Sequence, residues 1–285
     1  MTLEQFYKTY PKQSMEINGK NFEYRYYKKE NAKATLVLLT GGIGLSDLFY
    51  EHFDSFAQDF SVITFDYLEC YATMEEFADA VGVLLKNLDE KVWLVGQSLG
   101  GFVAQVLAKR QLDFVEGLVL SNTGSLAKDL NEEALNNIKD MVEGQRQIKK
   151  LIRILPFPIV KKAMLKKVAK NAEKLPEQYR EHMKNLTVTM LGMLTKKYEL
   201  HMLNLMSDYE SYLVMEKKDF ESLEDKVLLI LSDDDTTFNN HSKQSLIGLM
   251  WQPTVVTDMG GGHLGALMQI DKYTSLVTQY IQERV

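Results

Sequence analysis

Short runs of almost unbroken apolar residues recur along the chain and alternate with helical patterns. Six such runs cover residues 34–40, 61–67, 91–96, 116–121, 226–232 and 254–259. Strands have this composition when both of their faces are buried, as in a parallel sheet covered by helices. Thr73 and Glu76 have the spacing of a helix capping box, and residues 265–284 carry apolar residues at helical intervals. The pattern therefore predicts an α/β fold with a mostly parallel sheet flanked by helices.

Two stretches depart from this alternation. NFEYRYYKK alternates large aromatic and polar residues after Asn18-Gly19, which predicts a strand in an antiparallel pair. Residues 125–216 show helical periodicity and no convincing strand. We therefore predict an α/β core formed by residues 1–124 and 217–285, with residues 125–216 inserted as a helical cap.

Composition and charge limit the classes of protein to which the chain can belong. The 285-residue chain has a net charge of −6, which argues against a nucleic-acid partner because phosphate binding needs a basic face. Its one cysteine, Cys70, allows no internal disulfide and fits a reducing compartment. The N-terminus has no apolar leader, and no run approaches the roughly 18 apolar residues that a membrane span needs. These features predict a cytoplasmic protein and leave the oligomeric state open.

The stretch LVGQSLGGF, residues 94–102, places a serine between two glycines where a predicted strand meets a predicted helix. Glycines at these positions remove the Cβ atoms that would block a tight strand-to-helix turn. The G-x-S-x-G string alone is a weak signal, but its strand–turn–helix setting is that of a nucleophile elbow. Ser98 would then lie at the carboxyl ends of the strands, where open α/β sheets bind their ligands. Ser98 is therefore the candidate nucleophile.

A serine hydroxyl becomes a good nucleophile when a base removes its proton, so a histidine and a carboxylate should follow in the chain. His263 lies in the glycine-rich loop MGGGHLGAL directly after the last predicted strand and can reach over the edge of the sheet. His241 is the alternative base. The loop SDDDTTF supplies Asp233, Asp234 and Asp235, only one of which can orient the imidazole.

The motifs LLTGGIG, VGQSLGG, ILSDDD and GGGH occur in an order that resembles capped serine hydrolases of the α/β-hydrolase fold, of the esterase and lipase kind. The resemblance implies hydrolysis of an ester of a small apolar acyl substrate through an acyl-enzyme, with no cofactor and no metal ion. It selects Asp235, three residues after the small residue Ser232, as the acid. It also implies an oxyanion hole formed by the backbone N–H groups of Leu99 and of Gly42, with Ile43 as the alternative to Gly42.

One departure from the family pattern and two alternative functions remain. Thr40 stands where the family commonly has a histidine. Gly42-x-Gly44, with Asp66 at the end of the next strand, resembles a dinucleotide-binding fingerprint, but Asp47 puts a negative charge where a pyrophosphate would sit. The other alternative is a small-molecule receptor with slow or no turnover, because a fold does not determine a function.

The predicted cap contains a strongly basic segment. Residues 146–174 hold one acidic residue, Glu173, and ten basic residues, namely Arg146, Lys149, Lys150, Arg153, Lys161, Lys162, Lys166, Lys167, Lys170 and Lys174. Val160, Met164 and Val168 share one face of the predicted helix, which is therefore amphipathic. The simplest interpretation is a solvated face. The alternative expectation is a weak contact with an anionic membrane surface or substrate through Lys161, Lys162, Lys166 and Lys167.

Overall fold

The computed structural model describes residues 1–172, 177–207 and 209–285. Its strands are β1 (Gln13–Ile17), β2 (Lys20–Tyr27), β3 (Thr35–Leu39), β4 (Ser61–Thr64), β5 (Val92–Gln97), β6 (Val115–Ser121), β7 (Val227–Ile230) and β8 (Thr254–Val256). They form one sheet in the order β1-β2-β4-β3-β5-β6-β7-β8. Strand β2 is antiparallel to both β1 and β4, and the remaining neighbours are parallel. The predicted α/β class with a mostly parallel sheet is confirmed.

Helices cover both faces of this sheet. The α-helices of the described residues are α1 (Leu3–Thr9), α2 (Tyr50–Phe56), α3 (Met74–Leu88), α4 (Leu99–Arg110), α5 (Glu132–Ile154), α6 (Phe157–Ala172), α7 (Glu177–Met193), α8 (Lys196–Ser207), α9 (Asn240–Leu249), α10 (Gly265–Met268) and α11 (Ile270–Gln282). Helices α5 to α8 are inserted between β6 and β7. The division into a core and a cap at residues 125 and 216 stays a prediction. None of the helices that the structure describes is long and apolar enough to cross a membrane.

The first two strands form the antiparallel pair that the sequence predicted. Asn18 and Gly19 connect them, with φ angles of 51° and 73°. Positive φ at both central residues is what a type I′ hairpin turn requires. Strands β4 and β8 end at Thr64 and Val256, three residues before the ends of the apolar runs that predicted them. The last residues of these two runs leave the sheet at its carboxyl edge and continue into loops.

Helix α3 begins where the capping pattern predicts, with one difference in the hydrogen bonding. The Thr73 hydroxyl accepts from the Glu76 backbone N–H at 3.2 Å. The Glu76 carboxylate reaches one residue further back and accepts from the N–H of Ala72 at 3.0 Å. Both side chains thus bond backbone N–H groups at the start of the helix, as a capping pair should.

The apolar core has one layer on each face of the sheet, and β3 shows why its sequence is a continuous apolar run. Leu36 and Leu38 pack in the layer that contains α2 and α11, whereas Val37 and Leu39 pack in the layer that contains α3 and α4. All four side chains are fully buried. Because successive residues of a strand point to opposite faces, a sheet covered on both sides needs apolar residues at every position.

The junction between β5 and α4 is unusually tight, and two glycines make it possible. A Cβ atom on Gly96 would lie 2.3 Å from the Gly100 carbonyl oxygen, and one on Gly100 would lie 2.0 Å from the Leu39 carbonyl oxygen. Both distances are far shorter than van der Waals contact. Ser98, between them, has φ 54° and ψ −118°, a conformation that residues other than glycine rarely adopt. Strand therefore passes into helix through a single residue.

This close packing makes Gly100 intolerant of a side chain. We expect Gly100→Ala to lower the free energy of unfolding by about 2 kcal/mol or more, since the backbone of β3 must shift to admit the methyl group. The matched control is Gly144→Ala in α5, where a Cβ atom would meet nothing within 4 Å. That change should stabilise the protein by about 0.5–1 kcal/mol, because alanine is the better helix former. Urea unfolding of the two variants measures both effects, and equal stabilities would contradict this explanation of the turn.

Candidate active site

Ser98 is held at the carboxyl edge of the sheet by contacts with the end of the neighbouring strand β6 and with the loop that follows it. Its backbone N–H donates to the carbonyl of Ser121 at 3.0 Å, and its own carbonyl accepts from the Thr123 hydroxyl at 2.8 Å. The residue also immediately precedes α4, so its hydroxyl lies at the positive end of a 12-residue helix. This end of a helix favours negative charge that develops nearby during a reaction.

The structure brings together the serine, histidine and aspartate that the sequence predicted. His263 Nε2 lies 2.9 Å from Ser98 Oγ, and His263 Nδ1 lies 3.1 Å from Asp235 Oδ2. A carboxylate only accepts hydrogen bonds, so Nδ1 carries the proton and donates it to Asp235. In the tautomer with its proton on Nδ1, the imidazole has Nε2 free to accept the proton of the Ser98 hydroxyl. This is the tautomer that a general base toward Ser98 needs.

Asp235 is the buried member of the three adjacent aspartates. Its side chain has no exposed surface, and its Oδ1 accepts from the backbone N–H of Thr237 at 2.8 Å. Burial alone would raise the pKa of Asp235, but its hydrogen bond and charge attraction to His263 outweigh burial, with a further contribution from Thr237. The pKa consequently falls below its usual value. Asp235 is therefore ionised at neutral pH and can stabilise a protonated His263.

The other candidate residues lie elsewhere. Asp233 and Asp234 are exposed, and Asp234 accepts from the backbone N–H of Gly262 at 2.9 Å. Asp234 thus supports the loop that carries His263 without touching the imidazole. His241, the alternative base, is exposed at the start of α9, with its Nδ1 3.3 Å from the side-chain nitrogen of Asn131.

Two amides that sequence reasoning missed connect the loops of the site. Asn122 donates to the Gly262 carbonyl at 2.8 Å and accepts from the backbone N–H of Ser232 at 2.9 Å, which links the histidine loop to the end of β7. Gln97 donates to the His263 carbonyl at 3.0 Å. A signal was available, since both polar residues lie at the carboxyl ends of otherwise apolar strands.

A buried lysine, Lys243, stabilises the turn of residues 232–235, which carries Asp235. Lys243 Nζ donates to the carbonyls of Ser232 at 2.8 Å and Asp235 at 3.2 Å. These two carbonyls belong to the two ends of the short turn that presents the Asp235 carboxylate. The sequence gives no direct signal for this role, because α9 places Lys243 there only once the fold is formed.

Two tyrosines hold the loop of residues 40–44, which begins with Thr40, the residue that stands where the family commonly has a histidine. The Tyr67 hydroxyl donates to the Thr40 carbonyl, and the Tyr198 hydroxyl of α8 donates to the Gly44 carbonyl, each at 2.7 Å. The Thr40 hydroxyl itself is buried and has no hydrogen-bond partner among the described residues. Backbone contacts at both ends of the loop therefore fix the position of Gly42.

A cavity of about 300 Å³ opens above Ser98. Gly42 and Leu99, the two predicted oxyanion residues, line it together with Ser98 and His263. Most of the remaining wall is apolar and comes from α4, from α5 and α8, and from the turn after α8, including Phe102, Val106, Val142, Leu205, Met206 and Tyr209. Among the described residues, none that lines the cavity carries a carboxylate, an ammonium or a guanidinium group. The site therefore suits an uncharged, apolar group next to the serine.

The two carboxylates of the possible dinucleotide fingerprint have other partners. Asp47 accepts from the Tyr7 hydroxyl at 2.7 Å and pairs with the buried Arg25 at 3.3 Å. Asp66 accepts from the backbone and hydroxyl of Ser46 and pairs with Lys12. These contacts give both carboxylates a role in holding the fold together. Within the described residues, no group of three or more His, Cys, Asp or Glu side chains is arranged to hold a metal ion.

Comparison with known proteins shows the family to which the chain belongs. The chain belongs to the alpha/beta hydrolase fold family, whose model matches residues 34–267. It is 32% identical over 119 residues to a proline iminopeptidase of Thermoplasma volcanium, covering 38% of this chain and 40% of that protein. A proline iminopeptidase of Lactobacillus acidophilus is 29% identical over 140 residues, covering 44% of this chain and 48% of its own length. The chain thus matches less than half the length of these curated relatives.

Solved structures agree on the fold. A thermophilic esterase from Thermogutta terrifontis superposes with a TM-score of 0.69 at 17% sequence identity, covering 95% of this chain and 98% of that one. At this identity the likeness concerns the fold alone. The family match over residues 34–267 confirms the resemblance seen in the sequence at the level of the hydrolase family.

The three adjacent aspartates provide a matched series for the role of the acid. Asp235→Asn should lower kcat by about 10⁴-fold, because an amide at this position favours the wrong imidazole tautomer and cannot stabilise its charge. Asp234→Asn and Asp233→Asn should each stay within about tenfold of the wild type, since neither side chain contacts His263. Steady-state kinetics on an activated ester measures all three variants. A larger loss for Asp234→Asn than for Asp235→Asn would reverse the assignment.

Proposed function

We propose that the protein is a serine hydrolase that cleaves a carboxylic ester, or a related acyl bond, of a substrate with an apolar acyl group. The observation that carries the proposal is the hydrogen-bonded series Ser98, His263 and Asp235 facing an apolar cavity. Nucleophilic acyl transfer explains why a serine, a histidine and a buried carboxylate are hydrogen-bonded in this order at the edge of the sheet.

In the proposed mechanism, acyl transfer takes two steps. Ser98 Oγ attacks the ester carbonyl while His263 Nε2 takes its proton, and Asp235 stabilises the resulting imidazolium. His263 then returns the proton to the leaving alcohol, which departs and leaves the acyl group on Ser98. Water, deprotonated by the same nitrogen, attacks the acyl-enzyme and releases the acid. Ser98 recovers its proton from His263 at the end of the cycle.

The backbone N–H groups of Gly42 and Leu99 are the proposed donors to the oxyanion. Each such donor is worth roughly 3 kcal/mol when it is already positioned for the transition state. Both residues line the cavity beside Ser98, and Leu99 is the first residue of α4. The positive end of this helix adds to the stabilisation of the oxyanion.

Release of an N-terminal proline is the second candidate, because the two curated relatives are proline iminopeptidases. The imino group of such a substrate is a cation, and a buried cation without an anionic partner is strongly disfavoured. The residues that line the cavity in the described part of the chain include no carboxylate. This favours a neutral acyl group over a prolyl group.

A matched pair of substrates distinguishes the two candidates. The benzyl esters of cyclopentanecarboxylic acid and of proline have the same leaving group and nearly the same ring, and differ in the charged nitrogen. We expect kcat/KM to be at least about tenfold higher for the cyclopentane ester, because an unpaired charge in the cavity costs at least about 1.4 kcal/mol. Release of benzyl alcohol, measured by liquid chromatography, gives both rates, with Ser98→Ala as the inactive control.

A preference for the proline ester would favour the peptidase candidate instead. Tight binding of these or simpler esters without turnover by the wild type would favour the receptor alternative. Turnover that persists in Ser98→Ala would contradict both the proposed nucleophile and the mechanism.

A further inference from the structure

A second apolar cavity adjoins the site, and we call it the outer groove. It has a volume of about 630 Å³ and lies among α5, α6 and α8. Its wall includes Ile148, Leu151, Leu155, Ile159, Ala163 and Met164. The mechanism proposed above uses none of these side chains.

The outer groove is continuous with the cavity above Ser98. Gly42, Gln145 and Met206 line both spaces. The Met206 sulfur lies 3.4 Å from the point that a Cβ atom on Gly42 would occupy, so the methionine stands beside the proposed oxyanion residue. A substrate chain that starts at Ser98 can therefore pass Met206 and enter the groove. A thioether at this position adapts its shape more readily than a branched side chain would.

The chemistry of the outer groove suits a hydrocarbon chain. Leu151 and Ile159 remain 54% and 56% exposed, which is unusual for such large apolar side chains grouped on one surface. Glu199 is the only charged residue that lines the groove in the described chain, and burial raises its pKa. Few polar partners are therefore available in the groove for a sugar, a nucleotide or a peptide backbone.

We propose that the outer groove binds the distal part of a long, unbranched acyl chain whose carbonyl lies at Ser98. The inference rests on the proposed ester hydrolase function and names its substrate class, which is esters of medium-to-long fatty acids. The cavity above Ser98 would hold the first part of the chain. The groove would hold the remainder and so extend the small acyl site that the sequence suggested.

The basic residues around the groove do not by themselves define a partner. Lys161 donates to the Gly192 carbonyl at 3.2 Å and lies over the Phe157 ring, so part of the predicted cationic set serves internal contacts. Lys162 and Lys166 are exposed, and the side chain of Lys167 lies outside the described part of the chain. This face could instead dock on an anionic lipid surface or on a second copy of the chain. The test must therefore distinguish surface docking from binding of an acyl chain in the outer groove.

The test compares p-nitrophenyl butyrate with p-nitrophenyl decanoate, both below the concentration at which the longer ester aggregates. Each buried methylene is worth about fourfold in affinity, so the wild type should have the higher kcat/KM on decanoate. The ratio of kcat/KM for decanoate over butyrate should fall about tenfold or more in the double variant Leu151→Gln/Ile159→Gln. Ala163→Trp, which fills the groove without adding a polar group, should lower the same ratio.

Each variant has a matched control outside the groove. Ile154 is 79% exposed in the same helix as Leu151 but does not line the groove, so Ile154→Gln should leave the ratio unchanged. Val188→Trp on the exposed face of α7 is the control for the added ring. An equal fall in Ile154→Gln would overturn the proposal in favour of surface docking, and an unchanged ratio in both groove variants would also overturn it. Ser98-dependent hydrolysis that favours butyrate would contradict acyl-chain binding in the outer groove but not the ester hydrolase function. No hydrolysis of either ester would contradict the proposed function itself.

Discussion

The structure depends on the contact between the start of α4 and the end of β3. Because Gly100 packs against the Leu39 carbonyl without a side chain, the helix can start directly after β5. The turn forces Ser98 into its positive φ and places its hydroxyl above the sheet, at the positive end of the helix. Strain at one residue is tolerated because the surrounding backbone leaves no other conformation. A larger residue at Gly96 or Gly100 would separate α4 from the sheet and move Ser98 away from His263.

The rest of the site uses the same edge of the sheet. Parallel strands bring their carboxyl ends together, so loops that are far apart in sequence meet above them. Asn122 and Lys243 then fix the relative positions of these loops through hydrogen bonds to backbone carbonyl and N–H groups. The reactive side chains consequently need few contacts of their own to stay aligned. Their geometry is a property of the backbone, which is how one fold can serve many substrates.

The sequence was informative where a local pattern has one structural meaning. Continuous apolar runs predicted the doubly covered strands, and the spacing around Ser98 predicted the tight turn. Asp235 required the family resemblance, because three adjacent carboxylates are equivalent until the fold buries one of them. Lys243 and the pairing of Tyr198 with Gly44 could not be predicted, since they arise from contacts between segments distant in sequence. The outer groove is likewise a property of packed helices, and the periodicity of α5 and α6 alone does not show it.

Hydrolysis depends on the activation of Ser98 by His263, and a covalent probe reports on this activation. A fluorophosphonate should modify the folded protein once, with the adduct mapped by mass spectrometry to the peptide that contains Ser98. Labelling should be absent in Ser98→Ala and strongly slowed in His263→Ala, while His241→Ala should react as the wild type does. Modification of a different serine, or no modification of the folded protein, would contradict the role of Ser98 as the activated nucleophile.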